Sequence, residues 1–320
     1  MALNDERIVT LNCGLGRDSI AMICLCVEGA LWSEDYGVIR PEDLDCVVFS
    51  NTGNEWPGTY KHILDVGRIC RDHDIRFLVL EKGIAANDND VETWEDVEWR
   101  AEYGAYHYRP ALMDDFQSRA TVASLGKGDC TDNHKIQPIR RMMNDISTVR
   151  WGLNNRQWSY RVKSGEREPH INIVGIAADE TTRIPDEEMG PLYCTEAYPL
   201  AEMGLDKADE TPILERWNLN SVRKSGCYMC PYQPAGWYWA LRETHPGLYA
   251  DAVEYERVAL ERNPRMAATG FKHKGEPMTI PEVVERWRSR NPDAGIDEVL
   301  DKSYSRCTKE VRKEQKKEFS

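Results

Sequence analysis

Short, continuously apolar runs alternate along the chain with longer stretches of helical period. Residues 8–11, 45–50, 75–80 and 171–177 are rich in Val, Ile, Leu and Phe, the pattern of strands buried on both faces. Between the first two, apolar residues recur at helical spacing from Ile20 to about Leu31, and again over 57–72, where Pro57 stands in the first turn. Strands alternating with helices predict an α/β fold: a doubly wound, mostly parallel, Rossmann-like sheet. Residues 83–127 interrupt this order. They lack a strand pattern and carry Trp94, Trp99, Tyr103, Tyr106 and Tyr108, so a helical insertion is expected. Beyond about residue 205 the period is helical, over 211–217, 235–243, 247–262, 281–290 and 296–317. The expected organisation is an α/β domain over 1–205 followed by a helical region over 206–320.

Composition narrows the class. Hydrophobic residues at 41% and charged residues at 30% exclude global disorder. No apolar run approaches the ~20 residues that cross a bilayer, and the opening Met-Ala-Leu-Asn-Asp-Glu-Arg has no basic stretch leading into an apolar one. A soluble, cytoplasmic chain that meets no membrane is expected. With 41 Lys and Arg against 54 Asp and Glu, the net charge of −13 opposes polyanions through the whole-protein field but leaves room for a small basic groove. Acid concentrates over 81–99 and base over 301–320, read as a solvated acidic loop and a mixed-charge helical tail.

Candidate chemistry lies in the polar segments that follow the strands. Gly14-Leu15-Gly16-Arg17-Asp18-Ser19 leads from the first strand into a helix. Glycines there let backbone N–H groups close on a phosphate at the positive end of the helix. Asp18 beside a polyphosphate implies a bridging Mg²⁺. The segment is neither a Walker A loop nor a dinucleotide G-x-G-x-x-G fingerprint. Thr52-Gly53-Asn54-Glu55-Trp56-Pro57 follows the second strand, and loops at carboxyl ends of strands line the crevice of an open sheet. Cys130 leads a segment with Lys135, Pro138, Arg140 and Arg141, a candidate anion site, and Gly175 to Arg183 carries Asp179 and Glu180 after another strand. Of the ten cysteines, Cys24, Cys26, Cys46 and Cys70 lie in apolar surroundings and read as buried hydrophobes. Cys227 and Cys230 differ: the C-x-x-C beside Gly226 and Pro231 is a way to bring two thiolates onto one metal.

Taken in order, these segments resemble the phosphoadenosine phosphosulfate (PAPS) reductase family within the PP-loop ATP pyrophosphatases, the adenine nucleotide α-hydrolase-like group. The family's S-G-G-x-D-S loop is matched at Gly14–Ser19 and its T-G-x-E-x-P at Thr52, Gly53, Glu55 and Pro57. Its C-T-x-x-x-K-x-x-P-x-x-R runs from Cys130 to Arg141, its G-I-x-A-D-E-x-x-R from Gly175 to Arg183, and its S-G-C-x-x-C-P-x-Q from Ser225 to Gln233. Two positions depart from the loop: Gly14 replaces a serine and Leu15 a glycine. The resemblance spans about residues 8–240.

The resemblance implies an ATP pyrophosphatase. ATP and Mg²⁺ would meet Gly14, Gly16, Arg17, Ser19, Thr52, Gly53, Glu55, Arg140, Arg141, Asp179 and Glu180, with Asp18, Lys135 and Arg183 in catalytic roles. It implies adenylation of an acceptor for sulfur incorporation, as in DNA phosphorothioation or RNA thiolation, with a nucleic-acid substrate and a cysteine desulfurase or other modification-system subunit as partners. Iron–sulfur members imply a 4Fe–4S cluster, or alternatively zinc, on Cys130, Cys227 and Cys230, with Cys194 the best fourth ligand by position. Two other readings stand beside this one: a nucleotide-binding subunit that regulates a partner, and a sulfonucleotide reductase. The reductase is disfavoured because the tail cysteine, Cys307, lacks the E-C-G-L-H-like setting.

Overall fold

The computed structural model describes residues 2–81, 111–123, 129–185 and 190–301. The remainder of the expected insertion, the tail beyond Asp301 and Cys307 lie outside the described residues. The chain divides into two compact units: residues 1–51, 57–106 and 133–225 form one, and residues 52–56, 107–132 and 226–320 the other.

The first unit is built on five parallel strands. They are β1 (Val9–Asn12), β4 (Cys46–Asn51), β5 (Phe77–Glu81), β6 (His170–Val174) and β7 (Cys194–Ala197), in the order β5-β4-β1-β6-β7. A separate antiparallel hairpin, β2 (Leu31–Ser33) with β3 (Gly37–Ile39), lies between β1 and β4 in sequence. Alternation along the strands supplies both faces of the sheet. Val9, Leu11, Val47, Phe49, Ile171 and Ile173 bury against α1 (Arg17–Val27) and α3 (His62–Asp72). Ile8, Cys46, Val48, Leu78 and Leu80 bury against Met142 and Met143 of α5 (Gln137–Trp151). Apolar residues needed on both faces explain the unbroken apolar runs. The doubly wound α/β class is therefore as expected.

The order also fixes where ligands fit. From β1 the chain winds through β4 to β5, then returns to the other side of β1 as β6 and β7. The switch point falls between β1 and β6, and crevices in open α/β sheets form there, outside the carboxyl ends of the strands.

Several boundaries differ from expectation. The first helix stops at Val27, since Gly29 turns left-handed at φ 67° and the chain leaves for the hairpin. The helix expected over 57–72 is two, α2 (Pro57–Tyr60) and α3. Strand β7 and the hairpin carry no apolar run and were not expected. The first unit runs on to Ser225 rather than ending at 205. After α6 (Asn155–Lys163) and α7 (Pro199–Glu202), helix α8 (Lys207–Arg216), capped by the Asp206 carboxylate, lays Ile213 and Leu214 into the α1 core, and Leu219 and Val222 follow them there.

The second unit is helical around an aromatic core. Helices α4 (Ala111–Ser118), α9 (Ala235–Thr244), α10 (Pro246–Arg262), α11 (Ile280–Arg290) and α12 (Ile296–Asp301) enclose Trp237, Tyr238, Leu241, Ala252, Val283, Trp287 and Val299. Gly236 is required by this packing: a Cβ there would come within 2.8 Å of both Trp287 and Val299 side chains. Glu256 is buried and accepts the Ala268 and Ile280 N–H groups, both at 2.7 Å, which pins the Phe271 loop and the start of α11. Among the described residues no helix is long and apolar enough to cross a membrane.

Candidate functional site

Two of the predicted segments meet in the first unit, at the switch point. The turn after β1 runs Cys13 to Gly16 and opens α1, and the turn after β6 runs from Gly175 to Arg183. They touch: a Cβ on Gly175 would stand 3.1 Å from the Ser19 nitrogen and 3.1 Å from the Met22 methyl. Only glycine lets the β6 exit pass this close to the first turn of α1. Leu15 adopts a left-handed φ of 57°, a conformation that costs a non-glycine residue about 1 kcal/mol or more. Its side chain is only 1% exposed within the α1 core, and burying a leucine returns about 2 kcal/mol. The left-handed turn therefore accommodates a leucine because its side chain is buried in the core.

A cluster of charge surrounds the turn. The Lys224 ammonium lies between two carboxylates, 2.8 Å from Asp18 and 2.7 Å from Glu180. Arg183 pairs with the other oxygen of Glu180. Burial opposes ionisation of Glu180, yet the Lys224 and Arg183 charges prevail and hold its carboxyl below the usual range. Burial likewise works against the charged Lys224, and Asp18 with Glu180 overrides it and raises the amine. Asp179 is exposed at the rim.

Behind the turn, Arg17 is committed elsewhere than to a ligand. Its guanidinium donates to the Val222 and Lys207 carbonyls and the Thr211 hydroxyl, and its Nε lies 3.5 Å from Glu210. This clasps the segment from α8 to Val222 onto the start of α1. Glu210 is fully buried, and neither carboxyl oxygen accepts a hydrogen bond. Burial first, then the Asp18 charge, push it up to about 8. Ser19, 7% exposed, donates its hydroxyl to the Gly16 carbonyl at 3.1 Å.

The third segment is divided. Cys130 belongs to the second unit, while Lys135 follows in the first, in a single π turn over Asp132–Ile136 that leads into α5. The Ser50 hydroxyl at the end of β4 donates to the His134 carbonyl at 2.9 Å, which anchors this turn at the carboxyl end of the sheet. Arg141 is exposed. The Arg140 charge acts on Tyr193 and Cys194, before and at the start of β7.

A separate arrangement occupies the second unit. The 52–56 loop pairs with the knuckle: Trp56 donates to the Gly226 carbonyl, Tyr228 donates to the Asn54 carbonyl, and Glu55 bridges Cys227 in antiparallel fashion. Gly53 holds the loop's left-handed position at φ 72°, and the Thr52 hydroxyl donates to Glu55 at 3.2 Å. Thr52, Gly53 and Glu55 thus lie beside the thiol knuckle in their own unit. In the knuckle the Cys230 N–H donates to the Cys227 carbonyl at 3.0 Å and the Met229 N–H to the Cys227 sulfur at 3.4 Å. Buried Gln233 braces it by donating to the Tyr228 carbonyl. Cys130, Cys227 and Cys230 all pack on the aromatic core. Burial, then Glu55, Cys230 and Cys130, drive the Cys227 thiol well above its ordinary value.

The fourth expected ligand is elsewhere. Cys194 opens β7 opposite His170, at the amino end of the sheet in the first unit. It packs beside Ile8, Cys46 and Val48, and its thiol is pushed up to about 12 by burial. It entered the expected set by sequence position, and strand β7 carries it away from the carboxyl ends. Among the described residues no three Cys, His, Asp or Glu side chains converge to hold a metal ion. Of the four cysteines expected to hold a cluster or zinc, Cys130, Cys227 and Cys230 lie in the second unit and Cys194 in the first.

Two residues of the charged cluster escape a sequence reading. Lys224 directly precedes Ser225-Gly226-Cys227, where the thiols draw attention away from it. Glu210 is one acid among several on an amphipathic helix and carries no local signal. Compared with protein-family models the chain matches none, and no curated protein matches it.

Proposed function

We propose that the chain is an ATP pyrophosphatase of the PP-loop kind, which adenylates an acceptor for sulfur incorporation. The observation that carries this reading is the Lys224–Asp18–Glu180–Arg183 cluster beside a bare glycine turn and a helix start, at the switch point of a parallel sheet. The triphosphate lies along the turn, against the N–H groups of the first turn of α1. Mg²⁺ is ordinarily held by one or two carboxylates together with substrate phosphates, and Asp18 and Asp179 suit that role. When bound, the ion neutralises phosphate charge.

In the reaction an acceptor oxygen attacks the α-phosphorus, the bond from that phosphorus to the α,β-bridging oxygen breaks, and pyrophosphate leaves with the electron pair. Lys224 and Arg183 offset the charge that develops on the phosphoryl oxygens. A sulfur nucleophile supplied by a partner then displaces AMP from the activated acceptor. Nucleic acid is the acceptor implied by the resemblance. With a net charge of −13, the chain would meet it through a small basic groove or a partner subunit.

Product analysis tests the reading. Purified protein is incubated with Mg²⁺ and ATP, with and without RNA or DNA. AMP and pyrophosphate are expected, in amounts that rise with the acceptor. ADP and orthophosphate as products, or no nucleotide binding, would overturn it.

A further inference from the structure

The turn after β1 has no outward side-chain donor of its own. Gly14 and Gly16 carry none, Leu15 is turned into the core, Arg17 is held by the Val222 and Lys207 carbonyls, and the Ser19 hydroxyl is spent on the Gly16 carbonyl. One hydroxyl stands directly against the turn, and it comes from more than 200 residues away. A Cβ placed on Gly16 would lie 2.7 Å from both the backbone nitrogen and the hydroxyl of Ser225, and a Cβ on Gly14 would lie 3.2 Å from that hydroxyl. A side chain on residue 14 would therefore crowd the Ser225 hydroxyl. The neighbouring Lys224 fixes this stretch through its two carboxylate contacts.

We propose that Ser225 is a phosphate-binding residue of this site, supplying from a distant segment the hydroxyl donor that the glycine turn lacks. The assignment rests on the nucleotide reading above. It explains why position 14 is glycine: a side chain there would compete with Ser225 for one volume. It also explains why Gly16 tolerates no Cβ, since its contact is with backbone and cannot swing aside.

A hydroxyl swap tests it on the full chain, by calorimetry with Mg²⁺ and α,β-methylene-ATP, which cannot be cleaved at the relevant bond. Ser225→Ala is expected to weaken binding about tenfold, the size of a lost hydrogen bond to a charged group. Gly14→Ser alone is expected to bind no better than the unaltered protein, because two hydroxyls crowd one place. The double variant Gly14→Ser/Ser225→Ala returns the donor and is expected to recover to within about threefold of the unaltered protein. Should Ser225→Ala fold poorly, Ser225→Cys keeps the volume, loses the strong donor and reads the same loss. Binding unaffected by either substitution, or a double variant as weak as Ser225→Ala, would overturn the serine assignment and leave the nucleotide reading intact. Inorganic pyrophosphate is titrated in parallel. If it binds with the same swap pattern while the ATP analogue does not bind, the nucleotide reading fails and the serine assignment stands. If neither ligand binds, both fail.

Discussion

The two polar constellations of this protein balance buried charge in opposite ways. In the first unit, carboxylates and cations are interleaved: Lys224 between Asp18 and Glu180, Arg183 on Glu180, Arg17 beside Glu210. In the second, the Glu55 carboxylate and the thiols of Cys227, Cys230 and Cys130 share one neighbourhood, and their negative forms repel. In the first region cations hold Glu180 below its usual range and carboxylates raise Lys224, so that both groups stay ionised. The other keeps its Cys227 thiol protonated at neutral pH, and a protonated thiol is a poor nucleophile.

The largest effect expected from this contrast is at Lys224. Lys224→Met leaves Asp18 and Glu180 together without their shared cation, and breaking a buried pair from one side costs about 3 kcal/mol or more. Urea denaturation should show that loss, and α,β-methylene-ATP binding should weaken at least about tenfold. A stability change below about 1 kcal/mol would mean that the bridge is solvated and the contrast is lost.

A pH-dependent effect is expected at Glu210. Its carboxyl is raised from 4.5 to about 8, so between these values the native state holds a proton that the unfolded chain has released. Stability must then fall as pH rises through that window. Glu210→Gln should flatten this part of the stability–pH curve, and an unchanged slope would remove Glu210 as its source.

The smallest test sharpens the thiol side. Glu55→Gln removes the carboxylate beside Cys227, so its thiolate fraction should rise. Iodoacetamide labelling of Cys227 at pH 8, followed by peptide mass spectrometry, should quicken about threefold. Labelling of Cys194, whose acidic neighbour is Glu196, should not change. Equal acceleration at both cysteines would point to general loosening instead.

Parts of this arrangement are legible without coordinates. The turn at Gly14–Ser19 sits after a strand as expected, Asp18, Glu180 and Arg183 gather with it, and Cys130, Cys227 and Cys230 share one unit. Other contacts of the expected residues were not legible, because their partners are distant in sequence. The Arg17 guanidinium donates to groups of the 207–222 segment, and the Arg140 charge acts on Tyr193 and Cys194. Cys194 suits a fourth ligand by spacing alone, and strand direction places it at the amino end of the sheet. The segment 52–56 lies at a strand end as predicted, and its backbone pairs with the 226–228 stretch of the same unit.

The sequence by itself determined the α/β class, four of the five parallel strands and the position of the glycine turn. Those properties follow from runs of apolar residues a few positions long, whose burial is decided locally. Tertiary structure alone decided that Lys224 completes the acidic cluster, that Ser225 stands over the glycines, and that the thiols and the glycine turn belong to different units. Each of those outcomes joins residues far apart in the chain, and a charge or hydroxyl acquires its partner only when a distant segment is brought within about 3 Å of it.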